Sequence, residues 1–398
     1  MNQSHPLTGI RVLELARVLA GPWAGQLLAD LGADVIKVES PKGDETRAWG
    51  PPFHGDDSSA YFQSTNRGKK SIVADLRKSS DLDFVKDLAS RADVIIENFK
   101  VGGLTKYKLD FQSIKKINPG LIYCSITGFG QSGPYAKRPG YDFIIQAMGG
   151  IMDLTGEPTS EPQKPGVAYA DLFTGLYSVV AIQSALIARQ VNGVGTHIDM
   201  SLFDTQLGVL ANQGASFLKT GISPKRMGNM HPVIVPYQKF ETMGGPIIIA
   251  CGNDMQFKNL CLEFNWSFHN KKEYSTNRNR VLNRNKLIPL IQKYLLNLSK
   301  EIVLSKLETA GVPNGPINTV GEALTEPQAN FRNIVKKIDG ISTVRTPIRF
   351  DSLSLKYKHV APSLGQHTTE IKNKIKNTNF WKKSVEIQKS RQFKPKSK

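Results

Sequence analysis

Two strand patterns joined by one helix pattern open the chain and restrict its fold more than any other feature. Residues 10–15 (IRVLEL) and 33–39 (ADVIKVE) are apolar runs typical of buried strands. Between them, apolar side chains recur at helical spacing from Ala24 to Leu31, and Gly32 follows as a helix-ending residue. A strand, a helix and a strand in this order form a parallel pair with the helix packed on one face. We therefore expect an α/β fold built on a Rossmann-like parallel sheet.

The rest of the chain divides by the same kind of pattern. Further buried-strand patterns follow until the character of the sequence changes near residue 220, and a hairpin signal then occurs at Gly244-Gly245. We expect a large α/β domain over residues 1–220 and a smaller α+β domain over 225–330. Residues 335–398 are expected to return to the large domain, with a strand-like pattern at 343–355, and to end in a basic tail.

The loop sequences of this chain exclude two classes of nucleotide-binding protein. Glu39 ends the second strand pattern, as an acidic residue does in dinucleotide-binding folds, but the preceding turn lacks GxGxxG, which excludes NAD. Residues 68–71 (GKKS) resemble the end of a phosphate-binding loop. However, Gln63 stands where that loop requires a glycine, and a second lysine follows Lys69, so we expect no NTPase site.

Positive charge is the most unusual feature of the composition. The chain has 52 Lys and Arg against 34 Asp and Glu, a formal net charge of +18. Nine lysines, one arginine and one glutamate lie between Ile371 and Lys398, which is typical of a solvated tail. The remaining positive charge suits a phosphorylated ligand. We do not expect a nucleic-acid partner, because the chain lacks helix-turn-helix, zinc-finger and RNP motifs.

The sequence also predicts a cellular compartment. The first residues lack the basic and apolar regions of a secretory signal, and no run of about eighteen apolar residues is present. We therefore expect a cytoplasmic protein with no membrane partner. The three cysteines lie in apolar surroundings without metal-like spacing, so we expect reduced thiols and no metal site.

Residues 166–178 (GVAYADLFTGLYS) place one carboxylate, Asp171, just before a long apolar helix pattern that starts at Leu172. An aspartate at a helix N-cap stabilises the helix by accepting a hydrogen bond from a first-turn N–H group. The same position favours an ionised carboxylate, which can act as a nucleophile, and Gly175 would let a ligand approach closely. Position alone leaves both interpretations of Asp171 open.

The motifs, taken together, resemble the class III CoA-transferase family, which includes formyl-CoA transferases and the CaiB/BaiF proteins. The resemblance covers nearly the whole chain, and the motifs occur in the family's order. They are VLAGPWAGQLLADLGADVIKVE, NRGKKSIVADLR, IIENF, CSITGFGQSGP, RPGYD, YADLFTG, GVPNGPINTV and LGQH at 364–367. Details such as TRAWGPPF look most like the branch that moves CoA between dicarboxylic acids.

This resemblance implies a reaction and an assembly. Asp171 would be the nucleophile that attacks an acyl-CoA thioester and forms an aspartyl acyl anhydride, and CoA would then pass to a free carboxylic acid. Coenzyme A thioesters would be substrates, with no permanently bound cofactor. The family also implies a homodimer of two interlocked chains.

The resemblance assigns binding positions as well. The residues expected to contact coenzyme A are Val18, Ala20, Leu76, Arg77, Asn98, Phe99, Lys106 and Tyr141. A loop expected to cover the active site contains Gly252, Asn253 and Gln256. For the second carboxylate of the acceptor we expect Arg17 or Arg47, since both lie in loops at strand ends and a guanidinium group binds a carboxylate through two hydrogen bonds. Alternatively, Arg47 pairs with a neighbouring acid.

Two other functions remain open from the sequence. Acyl-CoA racemases resemble this chain but have a histidine where it has Tyr141, and a tyrosine is a poor base near neutral pH. A non-catalytic basic binding protein would explain the charge but not the ordered motifs. Within the transferases, Leu19 stands where the formyl-CoA enzymes have a glutamine, which argues against formyl-CoA and oxalate as the substrate pair.

Overall fold

The computed structural model describes residues 5–55 and 58–381. The chain divides into two compact units. The first unit has the bounds Met1–Ile151, Lys164–Lys219 and Arg332–Lys398, and the second has the bounds Met152–Gln163 and Thr220–Phe331.

A six-stranded parallel sheet forms the centre of the first unit. Its strands are β1 (Arg11–Glu14), β2 (Asp34–Glu39), β3 (Lys70–Val73), β4 (Val94–Glu97), β5 (Ile122–Thr127) and β6 (Thr196–Ser201). Their order in the sheet is β3-β2-β1-β4-β5-β6, and Val12 of β1 lies opposite both Val35 and Val94. This confirms the expected α/β fold.

Helices connect these strands and cover both faces of the sheet. They are α1 (Ala20–Asp30), α2 (Ala60–Asn66), α3 (Ser79–Arg91), α4 (Phe111–Lys115), α5 (Asp142–Met148), α7 (Tyr169–Asn192), α8 (Leu202–Gly208) and α9 (Ala211–Thr220), whereas the short helix α6 (Ile151–Leu154) belongs to the second unit from Met152 onward. One face has a buried core that includes Ala24 of α1 and Ile182 of α7, and the other has a core that includes Phe84 and Leu88 of α3. The connection changes sides between β1 and β4, and in such sheets ligands bind outside the carboxyl ends of the strands at that point.

A buried network of charges lies below that point. The Lys37 ammonium group is 3.1 Å from Glu14 and 2.9 Å from Asp44, and the Lys69 ammonium group is 2.8 Å from Glu14. All four side chains are almost completely buried. Burial lowers the pKa of Lys37, but the carboxylates of Glu14 and Asp44 outweigh burial and raise the pKa above its usual value. A Cβ at Gly25 of α1 would lie 1.8 Å from a Glu14 oxygen, so only a glycine lets the helix pass this close to the network.

The second unit contains an antiparallel sheet and a set of helices. Its strands are β7 (Tyr237–Thr242), β8 (Gly245–Ala250) and β9 (Asn314–Pro316), and its helices are α10 (Asp254–Glu263), α11 (Asn277–Leu282), α12 (Arg284–Leu295), α13 (Lys300–Thr309), α14 (Val320–Thr325) and α15 (Pro327–Phe331). Strands β7 and β8 form the expected hairpin, in which Gly244 and Gly245 have φ angles of 111° and 116°. Glycines are required there because these angles strain other residues.

The C-terminal segment differs from the sequence-based expectation in two ways. It forms a hairpin of β10 (Val335–Ile338) and β11 (Ile341–Val344), followed by α16 (Thr368–Lys374). The strand pattern expected over 343–355 therefore ends at Val344, shortly before Pro347, which cannot donate a hydrogen bond to a sheet.

The second difference concerns the start of the segment that was expected to be a solvated tail. Ile371, Ile375 and Trp381 are buried in the core of the first unit, and the Trp381 indole N–H donates to Asp34 at 2.9 Å. Ile371 and Ile375 are four residues apart and therefore lie on the same side of α16, which makes the start of this basic segment amphipathic. The rest of the expected tail, residues 382–398, lies outside the described residues.

Helix α7 is long and apolar enough to pass a length-and-composition test for a membrane span, and no other helix of residues 5–55 and 58–381 does so. Apolar core helices pass the same test. In this protein one side of α7, including Val179 and Ile182, packs in the core with α1 and the sheet.

We predict that Glu14→Gln destabilises the protein far more than Glu370→Gln. Loss of the Glu14 charge leaves Lys37 and Lys69 buried with too little negative charge, which costs about 3–5 kcal/mol. The exposed pair of Glu370 and Lys374 contributes about 0.5 kcal/mol or less. Urea denaturation followed by circular dichroism at pH 7 measures both free energies of unfolding. Equal effects would show that the buried network contributes no more than a surface pair.

Candidate active site

An open cavity lies at the carboxyl ends of β1, β4 and β5 in the first unit. Its lining consists of residues 17–20, 98–101, 126–128 and 136–141, together with Asp171 and Leu202. The cavity thus brings together seven residues that the sequence predicted for the site, which are Arg17, Val18, Ala20, Asn98, Phe99, Tyr141 and Asp171.

The loop between β1 and α1 forms one wall and has a strained backbone. Val18 has a φ of +70°, an unusual conformation for a β-branched residue. Two contacts hold the loop in place. The Val18 N–H donates to Asp44 at 3.2 Å, and the Asn98 side chain bridges the N–H and carbonyl groups of Arg17 at 3.0 and 2.7 Å. Because Asp44 belongs to the buried charge network, that network fixes the shape of this wall.

Asp171 lies inside the first turn of α7 and does not occupy its N-cap. The helix begins at Tyr169, three residues earlier than the apolar pattern indicated, and Ala168 is the N-cap residue. A methyl side chain cannot accept a hydrogen bond. Instead, an Asp142 carboxylate oxygen accepts from the N–H groups of Ala170 at 2.9 Å and Asp171 at 3.2 Å. Of the two interpretations left open by the sequence, capping by Asp171 is therefore wrong, because Asp142, which is distant in sequence, accepts these hydrogen bonds.

The environment of Asp171 favours the neutral carboxyl group. Burial and, after it, the negative charge of Asp142 raise the pKa of Asp171 from 3.8 to about 7. The helix N-terminus was expected to favour the ionised form, but burial outweighs that effect. At neutral pH the carboxyl group is therefore close to its titration midpoint, and its ionised form is more basic than an ordinary aspartate.

Gly175 serves helix packing rather than ligand access. A Cβ at this position would lie 2.8 Å from the Ala20 carbonyl oxygen and 2.9 Å from the Trp23 ring. Both contacts are on α1. The expectation that a ligand approaches Gly175 was wrong, since the missing side chain instead lets α1 and α7 pack closely behind the cavity.

The two candidate arginines have different surroundings. Arg17 lines the cavity and forms an exposed ion pair with Glu45. Arg47 is buried: its guanidinium group donates to Glu39 at 2.8 Å and to the Pro362 carbonyl at 3.0 Å, and it lies 3.8 Å above the Phe62 ring. Arg47 was expected in a loop at a strand end, and the structure shows it enclosed there by a buried acid and an aromatic ring from other segments.

Three expected contacts to coenzyme A do not line this cavity in the described part of the chain. Arg77 forms an exposed pair with Asp75 at 2.8 Å, and Leu76 packs at the edge of the core on the α3 face. The Lys106 ammonium group lies 4.8 Å from the centre of the Tyr107 ring.

The loop expected to cover the active site belongs to the second unit. Asn253 caps α10 by accepting from the Gln256 N–H at 2.9 Å, and the Gln256 side chain accepts from the Gly252 N–H at 2.8 Å. These three residues therefore form one compact capping turn.

Several residues of the site were missed by sequence reasoning. Lys100, Lys137 and Arg138 line the cavity and give it positive charge, which suits an anionic ligand. Asp142 was missed because its role depends on a contact across 28 residues. The RPGYD motif, which contains Asp142, was the available signal.

The described residues offer little alternative chemistry. No group of three or more His, Cys, Asp or Glu residues is placed to hold a metal ion in residues 5–55 and 58–381. Cys124, Cys251 and Cys261 are free and buried, and burial raises the pKa of Cys124 to about 12. Thiols in such surroundings are poor nucleophiles.

Comparison with known proteins decides the family. The model of CoA-transferase family III matches residues 7–368. The chain belongs to that family. This CoA-transferase is 50% identical to a succinate–glutarate CoA-transferase of Agrobacterium fabrum, over 93% of this chain and 96% of the relative. It is 40% identical to a human succinyl-CoA:glutarate CoA-transferase, over 94% of this chain and 87% of the relative.

A solved structure supports the fold. A CAIB/BAIF family protein from Brucella suis is 55% identical to this CoA-transferase and superposes with a TM-score of 0.86, covering 94% of this chain and all of that chain. The resemblance read from the ordered motifs is therefore confirmed. The chain is an enzyme, and the non-catalytic binding protein considered from its charge is ruled out.

We predict that Asp171→Asn makes the protein more stable at pH 8. The folded-state pKa of Asp171 near 7 lies above the ordinary value of 3.8, so this carboxyl group costs stability that builds up between about pH 4 and pH 7 and is fully present at pH 8. The stability gain should shrink as the pH falls from 8 to 5. Thermal unfolding across this range measures it, and Asp204→Asn, at an exposed position in α8, is the control. A gain that is independent of pH would contradict the assigned titration.

Proposed function

We propose that this CoA-transferase moves CoA from succinyl-CoA to a free dicarboxylic acid of the glutarate type, through an acyl anhydride on Asp171. The position of Asp171 carries the proposal, because its carboxyl group lines a cationic cavity at the carboxyl edge of the sheet. The named activities of the relatives at 50% and 40% identity support the choice of acids.

The proposed reaction begins when a carboxylate oxygen of Asp171 attacks the thioester carbonyl carbon. The carbon–sulfur bond breaks, and CoA leaves as a thiolate. The acceptor's carboxylate then attacks the aspartyl carbonyl of the anhydride and displaces the donor acid. Finally, the thiolate attacks the acceptor's acyl carbon, which restores the Asp171 carboxylate and releases the new thioester.

The surroundings of Asp171 fit this sequence of steps. Its raised pKa makes the ionised carboxylate a stronger nucleophile than an exposed one, and partial burial limits the access of water to an anhydride. Coenzyme A would enter as a substrate, and we propose no permanently bound cofactor. Val18, Ala20, Asn98, Phe99 and Tyr141 line the same cavity and are proposed to contact it.

The distal carboxylate of the acceptor needs a cation. Arg17 is the better of the two candidates, because it lines the cavity and its partner Glu45 is exposed and replaceable. Arg47 is held by Glu39 and Phe62. Leu76, Arg77 and Lys106 remain proposed contacts for the distal part of coenzyme A, and Gly252, Asn253 and Gln256 remain a proposed cover.

We also propose that two copies of the chain form a homodimer. The outer side of α7 exposes an apolar stripe that consists of Leu176, Tyr177, Val180, Ile187 and Val191. Side chains of this kind in one row mark a protein–protein interface.

We also propose a cytoplasmic location, because the three cysteines are buried and free, as is usual in a reducing compartment.

Purified protein mixed with succinyl-CoA and glutarate should yield glutaryl-CoA, and Asp171→Asn should lower the rate by roughly a thousandfold or more. The asparagine keeps the size of the side chain but lacks a nucleophilic oxygen anion. Liquid chromatography of the CoA thioesters measures the transfer.

A second readout locates the intermediate. Hydroxylamine added with succinyl-CoA should convert the wild-type anhydride to a hydroxamate at Asp171, which peptide mass spectrometry detects. Substantial transfer by Asp171→Asn, or a label confined to other residues, would overturn the mechanism. Exchange of the α-proton without acyl transfer would instead support a racemase.

We expect Val180→Lys to weaken the dimer, since it places a charge in the apolar stripe of α7, where Val180 is 60% exposed. Sedimentation velocity should show a shift towards monomer at micromolar concentration. Val320→Lys is the matched control, because Val320 is 78% exposed on α14 and outside the stripe. An unchanged dimer in the Val180 variant would exclude this face as the interface.

A further inference from the structure

We propose that Asp142 is a positioning residue for the transfer reaction: its carboxylate holds the first turn of α7 and places a negative charge beside Asp171. The inference rests on the proposed nucleophilic role of Asp171. It assigns a function to the last residue of the RPGYD motif.

One oxygen of Asp142 fixes the backbone that carries the nucleophile. It accepts hydrogen bonds from the N–H groups of Ala170 at 2.9 Å and Asp171 at 3.2 Å. These are first-turn groups without partners inside the helix, and the N-cap residue Ala168 has no side-chain acceptor to offer. Asp142 is itself the first residue of α5, so one carboxylate joins the starts of two helices.

The other oxygen of Asp142 is held from the opposite side. The Gln146 amide donates to it at 2.6 Å, and Gln146 is completely buried. The Gln146 carbonyl oxygen has no hydrogen-bond partner within residues 5–55 and 58–381, and neither does the amide of the neighbouring buried residue Gln206. The Gln146 amide nitrogen thus makes its short hydrogen bond to Asp142 and only a long one, 3.5 Å, to the Val167 carbonyl.

The charge of Asp142 also acts on the Asp171 carboxyl group. After burial, it is the second cause of the raised pKa of Asp171. The Tyr61 phenol of α2 also faces this pair: burial and then the charges of Asp171 and Asp142 raise its pKa to about 12, so it stays neutral. The cations that line the cavity are Arg17, Lys100, Lys137 and Arg138. Asp142 thus places a negative charge beside Asp171, whereas the other charged side chains that line the cavity are positive.

Asp142→Asn separates the two roles of the carboxylate. The asparagine oxygen can still accept from the two N–H groups, and Gln146 can turn its unpartnered oxygen toward the new amide. Removal of the charge should move the acid limb of kcat/KM to lower pH by about one unit. The acid limb of Asp204→Asn should match that of the wild type, because Asp204 is exposed in the first turn of α8 and lines no part of the described cavity.

Asp142→Ala removes both roles. We expect kcat to fall at least tenfold, because the reactive carboxyl group loses its orientation. KM for succinyl-CoA should change little, because the contacts to the substrate remain. Asp142→Ser, which is neutral and able to cap, should show the acid shift of the asparagine variant. It provides the same test if Asp142→Asn does not fold.

The outcomes separate this inference from the proposed function. Hydroxamate at Asp171 in the wild type, together with an acid shift in Asp142→Asn, supports both. Labelling with an unchanged acid limb in both neutral variants, or an unchanged kcat in Asp142→Ala, overturns the role of Asp142 alone. Absence of any label at Asp171 in the wild type overturns the nucleophile.

Discussion

The pairing of Glu14, Lys37, Lys69 and Asp44 inside the first unit is the interaction on which the site depends. Four charges with little access to water are tolerable only if each contacts an opposite charge. Glu14 is on β1 and lies opposite Lys37 on β2, so the network joins two neighbouring strands at the level where β1 ends.

The network also explains the strained loop after β1. Asp44 has both a buried lysine and the Val18 N–H as partners, so relaxation of the loop would remove a hydrogen bond from a buried carboxylate. The positive φ of Val18 is thereby maintained at the wall of the cavity. A second carboxylate, Asp142, performs a similar task at the opposite wall, where it holds the first turn of α7. Both walls are therefore formed by backbone that distant acids keep in place.

Local patterns were sufficient for much of this description. The strands of the parallel sheet, the hairpin at Gly244-Gly245 and the helix that carries Asp171 follow from apolar periodicity and turn residues. The same patterns could not show that Arg47 is enclosed by Glu39 and Phe62. The local sequence around a charged loop residue is the same whether its side chain is exposed or buried. They also suggested that a ligand approaches Gly175, whereas the structure has helix α1 packed against it.

The sequence by itself determined the fold class, the family and the identity of the carboxylate at the site, because short-range periodicity and ordered motifs carry that information. Only the tertiary structure decided how that carboxylate is held and charged. Asp142 and Asp171 are 29 residues apart, and burial, the main cause of the raised pKa of Asp171, exists only once the helices pack together. Such couplings depend on distances in space, and no pattern along the chain encodes them.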